Sequence, residues 1–124
     1  MIFGLGLDLV WIPRVEAMWQ RHGRRFLERC FTAAEVKLCS GRPRPAKALA
    51  LRLAAKEAFA KATGQGMRGF AWREMEVAPD ENGKPCLALH GKARAWAREQ
   101  GIKGCFLSLS DEKDYAAAVV VLEK

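Results

Sequence analysis

The sequence predicts an α+β fold, a mainly antiparallel sheet packed with a long central helix, and three observations point to it. Ala46 to Thr63 is rich in alanine and leucine with no internal glycine or proline, the clearest helix in the chain. Phe70 to Ala78 with Lys84 to Leu89, and Gly104 to Ser110 with Tyr115 to Glu123, read as strand pairs whose short connections suit hairpins. The resulting order of strand, three helices, hairpin, helix and hairpin is that of an α+β chain. At 124 residues, one domain spanning 1–124 is expected.

Each element has a local reason. Met1 to Val10 (MIFGLGLDLV) carries Ile2, Leu5, Leu7 and Leu9 with two glycines that weaken any helix, which predicts a buried strand interrupted by Asp8. Pro13 suits the first turn of a helix in which Val15, Met18 and Trp19 fall at helical spacing, and Gly23 ends it. Thr32 and Glu35 have the spacing of a capping box, predicting a second helix to about Cys39. Gly41, Pro43 and Pro45 then break the chain before the long helix, which Gly64 stops. Asp80–Gly83 (DENG) is the first hairpin turn, Gly91 to Gln100 a helix stopped by Gly101, and Asp111–Asp114 the second turn.

Composition excludes several classes. Half of the residues are hydrophobic and 28% are charged, as in a folded globular chain rather than a disordered one. No run approaches the roughly 18 apolar residues of a bilayer span, and the N-terminus has no secretory pattern, so the expected location is cytoplasmic with no membrane partner. Cys30, Cys39, Cys86 and Cys105 form no C-x-x-C pair and are read as reduced thiols, and two distant histidines make no metal pair. The net charge of +7 lies wholly in residues 1–61, with 12 Lys/Arg against 5 Asp/Glu, which points to an anionic partner. A basic nucleic-acid-binding module is one reading of that charge. Against it, no aromatic RNP-type strand or C₂H₂ pattern is present.

Several residues carry potential chemistry. Gly64-Gln-Gly66-Met-Arg-Gly69 has the G-x-G-x-x-G spacing, but it follows a helix and precedes a strand, the reverse of a dinucleotide-binding turn. A carboxylate in an apolar strand is costly unless paired or bound to a cation, so Asp8 needs a partner. Glu57, three and four positions after Ala54 and Leu53, falls on or beside the apolar face of the long helix. Two such carboxylates would offer hard oxygens to Mg²⁺. The alternative is an N-capping Asp8 and an i,i+4 pair of Glu57 with Lys61. Lys47, Arg52, Lys56 and Lys61 on the same helix suit a phosphorylated ligand, or else Lys47 and Lys56 form a solvated face. Arg14, Arg21, Arg24 and Arg25 interleave with Met18, Trp19 and Phe26, a pattern fit for an acidic amphipathic partner, although Met18 and Phe26 equally suit core packing. Trp72 and Trp96 are expected in the core.

Taken together, GLGLDLVWIPRVE at 4–16, RLAAKEAFAKATGQGMRG at 52–69 and SLSDEKDYAAAVVVLE at 108–123, with RCFTAAEV at 29–36 and DENGKP at 80–85, resemble the small trimeric type of 4′-phosphopantetheinyl transferase. These are the holo-[acyl-carrier-protein] synthases. The resemblance implies transfer of phosphopantetheine from coenzyme A to a serine of apo acyl carrier protein, leaving adenosine 3′,5′-bisphosphate, in fatty acid biosynthesis. By the same resemblance Asp8 and Glu57 hold Mg²⁺, Lys61 lies near the phosphates, and Arg52, with Lys47 as a weaker extension, contacts coenzyme A. Gly64 and Gly66 line the nucleotide pocket. Arg14, Met18 and Arg21 match the carrier-protein docking surface, and Arg24, Arg25 and Phe26 extend it beyond one inserted residue. The resemblance further implies a homotrimer with sites at subunit interfaces. Many members carry histidines where this chain has Phe106 and Asp111, which implies altered coenzyme A contacts and leaves open a catalytically weakened binder; Ser108, Ser110 and Asp111 are therefore assigned no catalytic role.

Overall fold

The computed structural model describes all 124 residues, Met1–Lys124. In chain order the elements are β1 (Ile2–Trp11), α1 (Ile12–His22), α2 (Arg24–Cys30), α3 (Ala33–Ser40), α4 (Pro45–Thr63), a 3-10 turn (Trp72–Glu74), β2 (Met75–Pro79), β3 (Pro85–Leu89), α5 (Gly91–Glu99), β4 (Gly104–Glu112) and β5 (Tyr115–Glu123). Two antiparallel sheets form, one of order β1-β5-β4 and one a β2-β3 hairpin. The expected α+β class and antiparallel pairing hold. No helix is long and apolar enough to cross a membrane.

The three-stranded sheet lays one face on α4, and β1 reverses the face expected for its leucines. Gly6, Asp8 and Val10 point inward, while Leu5, Leu7 and Leu9 are 64%, 66% and 63% exposed. Successive side chains in a strand alternate faces, and here the small residues take the core side. The reason is α4. A Cβ on Gly4 would collide with the carbonyl of Ala62, and one on Gly6 with the carbonyl of Ala58. Backbone therefore lies directly on backbone, with Ala116 and Ala118 of β5 completing a shallow inner surface. This close approach is what the two glycines supply.

α4 is enclosed on nearly every side, burying Leu49, Leu53, Phe59 and a run of alanines in a core shared with Val120, Leu122 and Met75. Pro45 opens its first turn, and Gly64 ends it at φ 84, donating its N–H to the Lys61 carbonyl. The capping box of α3 forms as expected, with Thr32 Oγ1 accepting from Glu35 N–H at 3.2 Å and Glu35 Oε1 accepting from Thr32 N–H at 3.0 Å. Trp96 packs edge-on against Phe3, Phe59 and Phe70, in keeping with its expected core position.

Three further expectations are corrected. A further helix, α2, occupies Arg24–Cys30, where none was expected. The segment from Phe70 does not begin a strand; it passes through the 3-10 turn, and pairing starts at Met75. Lys56 is not solvated but fully buried, because α3 and β2 cover its side of α4. All four cysteines are free thiols, as expected, and burial pushes Cys30, Cys39 and Cys105 up, the last to about 11.

Candidate active site

Asp8 reaches the site from the inner face of β1 and is 7% exposed. Its Oδ1 accepts from Lys61 Nζ at 2.9 Å, and Lys61 also donates to the Leu7 carbonyl at 3.0 Å. Lys61 thus pairs with Asp8, and the i,i+4 pairing with Glu57 does not form a salt bridge. Asp8 Oδ2 is buried and accepts no hydrogen bond. Beside it stands Glu57, one helical turn before Lys61 on α4.

Burial first, then the hydrogen bond to Asp8 and the Asp8 charge, raise the Glu57 carboxyl, Arg14 and Lys61 pull it down, and it stands at about 7. Two adjacent carboxyls, one of them pushed up by burial and by its neighbour, tend to share a proton unless a cation replaces it. The orphaned buried oxygen and the second carboxylate make a hard two-oxygen donor set, which fits Mg²⁺, an ion that commonly takes one or two protein carboxylates and completes its shell with water and phosphate.

The raised Glu57 value has a consequence for stability. From its ordinary 4.5 to about 7, the folded chain retains a proton that the unfolded chain releases, so stability is lost as pH rises through that window. Metal-free protein is expected to melt several degrees lower at about pH 7.5 than at about pH 5, and Glu57→Gln to flatten much of that slope. Parallel melting curves for the two proteins would show that Glu57 is not so perturbed.

Glu57 also faces a cavity of about 780 Å³. Its walls come from α1 (Arg14, Met18, His22), α2 (Arg25, Phe26, Glu28, Arg29, Cys30), Leu53 of α4 and Trp72. The rim is basic and the floor largely apolar. Arg14, Met18, Arg25 and Phe26 were singled out from sequence and meet Glu57 here, whereas exposed Arg21 and Arg24 lie outside the lining. His22, Arg29 and Trp72 were missed as wall residues. The missed α2 explains Arg29, which follows Arg25 by one helical turn.

The remaining site residues lie elsewhere. Arg52 precedes Glu57 by five positions, about 140° around the helix. Its side chain is buried, donates to the Ala48 carbonyl at 2.9 Å and leaves Nε without a partner. Lys47, about 21 Å along the axis from Lys61, lies 3.6 Å from Asp111 of β4, so that carboxylate has a cation beside it. Gly64 and Gly66 form the turn after α4, both at positive φ, with Gly66 N–H bonded to the Ala60 carbonyl. Phe106 is exposed on the outer face of the sheet.

Comparison with known proteins adds a further finding. Residues 4–120 match the family model of the 4′-phosphopantetheinyl transferase superfamily. A holo-[acyl-carrier-protein] synthase of Geobacter sulfurreducens is 46% identical over 125 aligned positions, covering 100% of this chain and 99% of that protein. The crystal structure of the holo-[acyl-carrier-protein] synthase from Neisseria meningitidis superposes with a TM-score of 0.93 at 40% identity and full coverage of both chains. The Helicobacter pylori holo-[acyl-carrier-protein] synthase, solved in complex with coenzyme A, gives a TM-score of 0.84 at 27% identity, covering 96% of this chain and 99% of that one.

Proposed function

The chain belongs to the 4′-phosphopantetheinyl transferase superfamily, and from that premise we propose how its residues carry out the transfer. It transfers the 4′-phosphopantetheine group of coenzyme A to a serine of apo acyl carrier protein, giving holo acyl carrier protein and adenosine 3′,5′-bisphosphate. The serine oxygen bonds to the phosphorus that carries pantetheine. The pyrophosphate bond breaks, and the bridging oxygen leaves with the adenosine bisphosphate.

Asp8 and Glu57 would hold Mg²⁺. When bound, the ion neutralises charge on the pyrophosphate as it is attacked and cleaved. The observation that carries this assignment is the buried, unpartnered Asp8 Oδ2 beside a carboxyl held near 7. Glu57, beside Asp8 and facing the cavity, would accept the serine proton. Lys61, exposed and anchored on Asp8, presents its ammonium to the departing phosphate. The turn at Gly64 and Gly66 flanks the same end of α4, and Arg52 and Lys47 serve coenzyme A from elsewhere on the helix.

The basic rim and apolar floor of the cavity receive the carrier protein, with Arg14, Arg21, Arg24 and Arg25 meeting acidic residues and Met18 and Phe26 giving contact area. Arg14→Glu is expected to raise the KM for carrier protein at least about tenfold and that for coenzyme A less than about twofold. Equal increases would move the docking surface elsewhere.

A homotrimer completes the reading. Leu5, Leu7, Leu9, Trp11 and Phe106 leave an apolar sheet face exposed on one chain, larger than scattered surface hydrophobics require, and further copies of the chain would cover it. Sites at subunit interfaces would then join Lys47 of one copy to the carboxylates of another. A cytoplasmic location suits the four free thiols and the neutral-pH chemistry of Glu57. The test of the reading as a whole is whether apo carrier protein gains phosphopantetheine in a Mg²⁺-dependent reaction.

A further inference from the structure

Two buried charges take no part in the chemistry above. Lys56 is 0% exposed and Glu35 1%. The Lys56 ammonium donates to Glu35 Oε1 at 2.8 Å, to the Trp72 carbonyl at 3.0 Å and to the Met75 carbonyl at 2.8 Å, which uses all three of its hydrogens. Glu35 in turn accepts from Thr32 N–H at Oε1 and from Val77 N–H at Oε2, each at 3.0 Å. The ammonium also lies 5.5 Å from the centre of the Phe31 ring, and Phe31 packs edge-on against Phe26.

A buried ion pair adds little stability over a well-packed apolar pair, because desolvation consumes most of the attraction. What an apolar pair cannot do is bond backbone. Met75 C=O and Val77 N–H lie on the edge of β2 that β3 leaves uncovered, and the two side chains take the place of a neighbouring strand there. The same contacts reach the cavity. Glu57 follows Lys56 on α4, Trp72 is held through its carbonyl, and Phe26 is one ring contact beyond Phe31; all three line the cavity.

We propose that Lys56 and Glu35 form a positioning pair for the transfer, fixing the Glu57-bearing turn of α4 against the Trp72 and Phe26 walls that receive the carrier protein. This rests on the transferase reading. The test uses Glu35→Gln and Lys56→Met in the full chain beside wild type. It measures thermal melting, steady-state transfer, and the Kd for apo carrier protein in the absence of coenzyme A.

The expected result is cooperative melting with kcat lowered about tenfold or more, because small misplacements of reacting groups are costly. The carrier-protein Kd rises, and the KM for coenzyme A stays within about twofold, since Lys61 lies across the helix from Lys56. A purely structural role lowers the melting temperature but leaves kcat and Kd at wild-type values, and that outcome overturns the proposal. Failure of both variants to fold overturns it too, making the pair a condition of the fold rather than an aligner of the cavity. A wild type without turnover instead defeats the transferase reading, and the carrier-binding measurement then decides on the pair by itself.

Discussion

Glu57→Ala and Asp8→Ala are each expected to lower the rate of transfer by about a thousandfold or more, while both proteins remain folded. Each substitution removes one of the two carboxylates proposed to hold Mg²⁺, Asp8 with its unpartnered buried Oδ2 or Glu57 beside it. Glu57→Ala also removes the proposed proton acceptor. Folding survives because Glu57 faces the cavity, and because Lys61, released by Asp8→Ala, is exposed and free to turn into water. Melting curves recorded with and without Mg²⁺ separate the two roles, since an ion that binds only the folded state raises the melting temperature of wild type and loses that effect in either variant. Near-normal turnover by either variant would remove the metal assignment.

Gly6→Ala is expected to be the most destabilising small substitution in the chain, costing at least about 3 kcal/mol. The added methyl would meet backbone, the carbonyl of Ala58 and the amide of Ala62, rather than a side chain that can rotate away. Relief requires β1 and α4 to separate, and those two elements carry Asp8 and Glu57. Activity therefore falls in whatever protein remains folded. As a control, an alanine at Gly83, where nothing lies within 4 Å of the added carbon, meets only the strain of a positive φ. Chemical denaturation of the two variants measures the difference, and equal losses would show that close approach of strand and helix is not what Gly6 provides.

Much of this arrangement was legible in the sequence where local chemistry decides it. The Thr32–Glu35 capping box, the Gly64 stop and the hairpin turns follow from bonds within a few residues. Asp8 and Glu57 stood out because each is a carboxylate in an apolar setting, and a cavity-facing Glu57 and a buried Asp8 agree with that reading. The face of β1 was not legible, because period-two alternation gives two faces without saying which one meets the core. The leucines suggested the inner face, yet the glycines hold it, since α4 lies too close for side chains.

Lys56 was misread for a related reason. A lysine among alanines on a long helix resembles a solvated position unless it is known that α3 and β2 pack over it. α2 escaped notice because its seven residues, RRFLERC, are too few to display a helical period. With it went Arg29 as a wall of the cavity. Contacts between elements far apart in sequence, such as that of Lys47 with Asp111, have no local signature at all.

The transfer itself is read from the intact mass of an apo acyl carrier protein after incubation with this protein, coenzyme A and Mg²⁺, with a chelated control. A gain of one phosphopantetheine, absent in the control and absent with Glu57→Ala, is the predicted result. An unchanged mass despite binding of coenzyme A would rule out transfer by this chain, and a gain that persists in the chelated control would rule out the metal.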